Sequence, residues 1–375
     1  MTEPLRILHV LHALGCGGAE NMLMNIYRNI DREKIQFDFL VHTDQKTYFD
    51  TDIEKMGGKI YRIPYFNGFN FRSYFKALNS FFANNNYKIV HGHLGSCAAL
   101  YLYVAKKYGA YTIAHSHSTK PIYFTAKNLM YRIYSYPTRY IADYFFACSE
   151  KAGEDRYGKE IWKHREIRSI IKNAIDINKY TFRASIRQNA RQKLGVKNQF
   201  TIGHIGRFDR VKNQSFVLKI FNEVKKTKSD SVLVLVGDGV LKNEIKERVI
   251  EMGLNDSVIF TGVRSDVPDL LQAMDCFVFP SLYEGLGIVA IEAQATGLPC
   301  VVSDVIPNEA KITDLVKAFS LQESPEKWAA EICAETIPRD REKYNGIVRD
   351  SGYDITDTSK WLMNFYIERG RKIWS

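Results

Sequence analysis

The 375-residue chain has no uninterrupted apolar run approaching the roughly 20 residues that a spanning helix needs, so no membrane-spanning helix is expected. It has no C-x-x-C pair. Its cysteines, Cys16, Cys97, Cys148, Cys276, Cys300 and Cys333, are scattered and mostly lie in apolar runs. They read as buried free thiols in a reducing compartment. An arginine-rich stripe, a zinc-finger spacing and an RNA-binding motif are all missing, and nucleic acid is not an expected partner. The G-x-G-x-x-G fingerprint is absent as well, which argues against an NAD-linked oxidoreductase. The opening residues do not read as a signal peptide: Leu5 to Leu14 is strand-like, carries His9 and His12, and runs into glycines. A cytoplasmic protein is expected, one that rests at most peripherally on the inner face of the plasma membrane.

Hydrophobic content of 45% and charged content of 25% are those of a globular chain, and the length suits two domains. Lys+Arg 52 against Asp+Glu 42 gives +10, an excess that suits anionic substrates or an anionic surface. Apolar strand-like runs recur at Arg6 to Leu14, Phe37 to His42, Lys59 to Pro64, Ile89 to His93, Tyr111 to His117, Tyr144 to Ser149 and Ile167 to Lys172. Helix-like stretches separate them. Thr181 to Asn198 reads as a linker and a helix. The pattern then restarts at Phe200 to Gly206, Val232 to Gly237, Val258 to Gly262, Cys276 to Pro280 and Cys300 to Ser303. Such alternation predicts parallel sheets with helices on both faces, and ligands at the carboxyl ends of the strands.

Two strand–glycine–helix turns stand out. After the first strand come Gly15, Gly17 and Gly18. After Phe279-Pro280 come Glu284-Gly285-Leu286-Gly287, then a helix-forming run from Ile288 that carries Glu292. Unpaired amides at a helix start suit an anion, and glycine lets a ligand approach the backbone. Glu292 falls about one turn behind the mouth, where a carboxylate can accept from hydroxyls. His115 and His117 alternate on a strand and so share one face. None of the histidines shows a specific ligand spacing, and no metal site is expected. Asp50-Thr51-Asp52 fits the spelling of a metal-binding D-x-D but opens a helix, where acids serve as caps.

Taken in order, Gly17-Gly18-Ala19-Glu20, His115-Ser116-His117, Ala147-Cys148-Ser149, Asn173-Ala174-Ile175-Asp176, Gly206-Arg207-Phe208 through Lys212-Asn213, and Glu284 to Glu292 form one pattern. It resembles retaining glycosyltransferases of family 4, and most closely the bacterial capsular and exopolysaccharide type, over essentially the whole chain. The resemblance implies an α/β GT-B fold, with two doubly wound Rossmann-like domains facing across a cleft. Residues 1–180 would bind the acceptor, with a C-terminal helix 356–375 packing back on that domain, and residues 181–355 would bind the donor. It further implies a UDP-sugar co-substrate and no cofactor or metal. Arg207 and Lys212 would neutralise the diphosphate. Glu284 would contact the donor sugar beside Gly285, Leu286 and Gly287, and Glu292 would hold the ribose. Val263 and Arg264 would read the base, while Gly17 and Gly18 would let a loop close over the phosphates. His117 would contact the sugar, with His115 as its competitor; His12 and His93 are acceptor-side candidates.

The stretch Lys120 to Tyr140 mixes cations with aromatics, a composition that suits an anionic lipid surface and a lipid-diphosphate-linked saccharide acceptor. Two alternatives share the fold: a non-catalytic partner of another transferase, and a sugar-phosphate synthase.

Overall fold

The structure, a computed structural model, describes residues 3–15, 17–117, 126–335 and 338–374. The chain divides into two compact units, Met1–Ile175 with Ile355–Ser375, and Asp176–Asp354.

The first unit holds seven strands: β1 (Leu5–Leu11), β2 (Ile35–Val41), β3 (Ile60–Arg62), β4 (Ile89–Gly92), β5 (Tyr111–Ser116), β6 (Tyr144–Ala147) and β7 (Arg168–Ile170). Their order across the sheet is β3-β2-β1-β4-β5-β6-β7, and every pair is parallel. Both faces are covered, so β1 and β2 are apolar almost throughout. The polar residues of β2 are Gln36 and Asp38, and Asp38 is fully buried and fully satisfied. It accepts from Arg6 Nε at 2.6 Å, the Tyr87 hydroxyl at 2.7 Å and the Lys59 amide at 2.7 Å. The helix Ile355–Trp374 packs Leu362, Phe365 and Tyr366 into the core formed by Ile7, Phe37 and Phe146.

The second unit holds β8 (Phe200–Ile205), β9 (Ser231–Val236), β10 (Val258–Gly262), β11 (Cys276–Phe279), β12 (Cys300–Ser303) and β13 (Val316–Phe319), in the order β10-β9-β8-β11-β12-β13. The Thr181–Asn198 stretch contains the helix Ala184–Leu194, whose Arg187 reaches Asp275 at 2.5 Å. β13 has no counterpart in the sequence reading. It is a four-residue edge strand, Val-Lys-Ala-Phe, too short and too polar to show a pattern.

Asp50-Thr51-Asp52 is not a cap. The helix Asp50–Lys55 has no side-chain cap bond; Asp50 is buried, pairs with Arg62 and accepts from Thr47 Oγ1 at 2.8 Å. Asp52 pairs with Arg28 at 2.7 Å. Each carboxylate therefore serves its own arginine.

Candidate functional site

In the second sheet the strand order reverses between β8 and β11, which lie side by side. The loops leaving these two strands diverge around a crevice at their carboxyl ends, where open α/β sheets bind ligands. Hydrogen bonds stitch the loops together. The Leu282 amide donates to the Val211 carbonyl at 2.8 Å, and Asn213 Nδ2 donates to the Pro280 carbonyl at 3.1 Å. Asn213 is the one non-glycine among the described residues with a positive φ, 57°, a conformation asparagine tolerates better than most residues. Asp209 fixes the turn before it by accepting from the Lys212 amide at 3.1 Å.

This turn aims Lys212 across the crevice. Its Nζ lies 2.5 Å from Glu284 Oε1 and 4.7 Å from the centroid of the Phe279 ring. Both partners are largely shielded, with side-chain exposures of 21% and 10%, so water screens the pair only weakly. Arg207 differs. Its side chain is 76% exposed, and Nε is held by Asp209 Oδ2 at 2.7 Å, leaving the rest of the fork free to meet a ligand.

Gly287 adopts φ 78° and opens the helix Ile288–Ala295 without any side-chain cap bond, so the first amides of that helix have no side-chain acceptor. A side chain at Gly287 would be strained by that φ and would press on Phe279 at 3.3 Å. Gly285 has open space around it, and Leu286 is buried. Glu292, further into the helix, is half-buried. Desolvation raises it to about 7 against a partly offsetting hydrogen bond from Tyr180. Tyr180 was not among the residues expected from the sequence. It follows the Asn173 to Asp176 motif closely, but it meets Glu292 only through the fold.

Val263 is exposed beyond the end of β10, two strands from β8. Arg264 is tied to Asp266 by a double contact at 2.7 and 2.6 Å. A concavity lined by Arg187, Arg191 and Asp275 lies at the amino end of β11, the opposite end of the sheet from these loops. Its arginines are engaged with Asp275.

In the first sheet the order reverses between β1 and β4. Gly17 precedes the helix Gly18–Asn29, and both glycines are exposed. Five histidines from β1, β4, β5 and the residues just beyond them share one sheet face. His9 Nδ1 lies 2.9 Å from His93 Nε2, His93 Nδ1 lies 2.8 Å from His117 Nε2, and His91 Nε2 lies 3.2 Å from His115 Nδ1. Tyr366 joins them, its hydroxyl 2.6 Å from His91 Nδ1. Burial holds the imidazoles neutral, bringing His9 down to about 3 and His117 to about 4. His12 stands apart, exposed, with its ring edge-on to Tyr65.

Two doubly wound units, one carrying a cation–carboxylate pair beside an uncapped helix start, are the architecture of the GT-B class. The chain belongs to glycosyltransferase family 4, of the GT-B fold. The model of "Glycosyl transferases group 1" matches residues 186–344 and that of "Glycosyltransferase Family 4" matches residues 16–179. The Bacillus subtilis (strain 168) protein "Putative glycosyltransferase EpsF" is 32% identical over 372 residues, covering 96% of each chain. The Escherichia coli "UDP-Gal:alpha-D-GlcNAc-diphosphoundecaprenol alpha-1,3-galactosyltransferase" is 28% identical over 242 residues, covering 63% of this chain and 62% of its own. Among solved structures, Anabaena Alr3699/HepE in complex with UDP superposes with a TM-score of 0.77 at 19% identity, over 97% of this chain and 100% of its own.

Proposed function

We propose that this glycosyltransferase is retaining, and that it moves a hexose or N-acetylhexosamine from a UDP-sugar to a saccharide acceptor carried on a lipid diphosphate. The setting implied by the motif resemblance is capsular or exopolysaccharide synthesis. The observation that carries the reading is the Lys212–Glu284 pair, 2.5 Å apart at the carboxyl ends of adjacent strands. The name of the Escherichia coli relative, a UDP-Gal-dependent transferase acting on a diphosphoundecaprenol acceptor, supports the choice of donor and acceptor class.

In this reading the donor diphosphate takes Lys212 from Glu284, which then turns its carboxylate to the sugar hydroxyls. Arg207 closes on the phosphate with the free part of its fork. As the bond from the anomeric carbon to the β-phosphate oxygen breaks, its electron pair passes to that oxygen. The two fixed cations and the amides at Gly287 stabilise the growing charge. The acceptor hydroxyl attacks from the face the phosphate leaves, and its proton passes to the departing phosphate oxygen. Glu292 holds the ribose and the backbone at Val263 and Arg264 meets the base; in the first unit, His117 is the proposed sugar contact. Because Arg207 and Lys212 supply the positive charge, no metal is required for transfer.

The test is nucleotide release from a panel of UDP- and GDP-sugars with a lipid-diphosphate-linked saccharide acceptor. Release of UDP dependent on the acceptor, unchanged in excess chelator, supports the proposal. Loss of activity in chelator that magnesium restores would overturn the metal-free step.

Peripheral membrane contact is proposed from the helix Ala126–Ser135 and the residues after it, where Leu129, Ile133, Tyr136 and Tyr140 are exposed and Arg139 lies 4.0 Å over the Tyr136 ring. Lys120, Tyr123 and Phe124 fall outside the described residues. Co-sedimentation with anionic but not neutral liposomes is expected; binding to neither ends this part of the proposal.

A further inference from the structure

His91-x-His93 and His115-x-His117 lie at the carboxyl ends of two adjacent parallel strands. The β4–β5 register pairs His91 with Ile113 and Gly92 with Ala114, so continuing it sets His93 beside His115, with His117 two residues beyond. Alternation places all four rings on one face. His93, His115 and His117 each offer a ring nitrogen, and the three atoms lie within 4.8 Å of one another.

Hydrogen bonds among the imidazoles do not satisfy the cluster. His9 Nε2, His115 Nε2 and His117 Nδ1 are buried with no partner among the described residues. Such orphaned nitrogens are uncommon in folded proteins and call for a ligand or another physical reason. The existing contacts restrict which atoms can bind. His115 Nδ1 is engaged with His91 Nε2, which leaves its orphaned Nε2. Both nitrogens of His93 are engaged, Nε2 with His9 Nδ1 and Nδ1 with His117 Nε2 at 2.8 Å, so an ion would replace the His93–His117 hydrogen bond.

We propose that His93, His115 and His117 form a binding site for a late first-row divalent cation of the Zn2+ or Co2+ class, through His93 Nδ1, His115 Nε2 and His117 Nε2, with a fourth position open.

Nitrogen donors about 2.0–2.1 Å from a tetrahedral zinc stand roughly 3.3 Å apart. Loading therefore asks His93 and His117, now 2.8 Å apart, to separate by about half an ångström, and the His115 and His117 rings, stacked with centroids 4.0 Å apart, to turn so that both lone pairs meet one ion. Neutral imidazoles offer lone pairs without first losing a proton, and all-imidazole sets suit Zn2+, Co2+ or Ni2+ rather than Mg2+ or Ca2+. Each ring keeps one N–H. With the metal bound, His93 Nε2–H donates to His9 Nδ1, His115 Nδ1–H donates to His91 Nε2, and His91 Nδ1–H donates to the Tyr366 hydroxyl. These contacts already exist at 2.9, 3.2 and 2.6 Å. Outer partners of this kind orient ligating histidines. The other close trio, His9, His91 and His93, lies deeper, whereas His117 keeps partial exposure just beyond the end of β5. The proposed transfer chemistry needs no metal, and an ion held by His117 would compete with the sugar contact proposed for that residue.

The test uses the full-length, tag-free, metal-stripped protein. Titration with Co2+ is expected to give one equivalent bound, with the visible ligand-field bands of a low-coordinate nitrogen site, which Zn2+ then bleaches. His93→Gln, His115→Gln and His117→Gln should each weaken Co2+ binding at least about 100-fold, and His9→Gln about 10-fold. His12→Gln and His164→Gln, outside the cluster, should bind as the wild type does. Since a core substitution can disturb folding, a rise in wild-type melting temperature with Zn2+ provides a second readout that needs no variant. Absence of both the bands and the thermal shift in the wild type overturns the proposal. So does retention of the bands in folded His117→Gln and His115→Gln, or their loss in His12→Gln.

Discussion

The two sheets share one winding and differ in what stands at the reversal. In the second unit, β8 and β11 deliver a lysine, a glutamate and a bare helix start, while Arg207 waits in solvent. In the first, β1, β4 and β5 deliver five neutral imidazoles stacked on one another. The same topology thus creates one charged crevice and one uncharged cluster. Winding decides where a site forms; the residues at the strand ends decide what it can hold. A diphosphate fits the first arrangement. The second offers lone pairs and no net charge, so it suits a hydroxyl or a soft cation.

The largest expected effect tests whether the charged crevice does the chemistry. Lys212→Ala should lower kcat roughly 10²–10³-fold, as for loss of one stabilising group in a transfer step, with melting temperature nearly unchanged. Wild-type-like turnover would erase the functional contrast between the two reversals. A second substitution separates this charge from those at the other end of the same sheet. Arg341 is buried against the Phe182 ring and donates Nε to the Thr296 carbonyl at 2.8 Å; burial pulls it down to about 9. Arg341→Met should cost about 2–3 kcal/mol of stability by orphaning carbonyls, measured by urea unfolding, with the donor Kd of the folded protein unaltered. A changed Kd without a stability loss would contradict that division.

Glu292 gives a smaller, pH-dependent effect. Its folded-state value of about 7 lies above the ordinary 4.5, so the folded chain holds this proton more tightly than the unfolded chain does. Its stabilising contribution is full below about pH 4.5 and is lost as pH rises through 7. Glu292→Gln should remove a fall of on the order of 1–2 kcal/mol between pH 5 and 8, allowing for partial solvent contact. An unchanged pH–stability curve would show that the carboxyl is not desolvated. The smallest effect is expected at Arg264, whose exposed pair with Asp266 is local: Arg264→Ala should change stability by less than about 0.5 kcal/mol. A larger loss would mean that the pair holds the loop after β10.

What could be read from the residues was whatever is local along the chain. The strand, glycine loop and helix of Phe279 to Ala295 carry their own signals: an apolar run, a proline, glycines and then helix formers. The basic turn after β8 likewise opens on a glycine and closes on an asparagine suited to its backbone. Contacts that join distant segments left no such mark. Tyr180 meets Glu292 across 112 residues of chain, and His91 meets Tyr366 across 275. The histidines show only two H-x-H spellings, because the face they share is made by pairing β1, β4 and β5 rather than by spacing. Asp50 was read as a helix cap because helix starts favour acids; the strand run that carries Arg62 was legible, but its contact with Asp50 was not, because it is made by the fold. β13 was missed because an exposed four-residue edge strand has no face to pattern.

The most direct measurement is UDP release, by wild type and by Lys212→Ala, from a panel of UDP-sugars with and without a lipid-diphosphate-linked saccharide acceptor. The wild type should release UDP from one UDP-sugar in an acceptor-dependent way, and the folded variant should lose that release by at least about 100-fold. Equal release by both proteins, or no acceptor-dependent release from any UDP-sugar, would contradict the assignment.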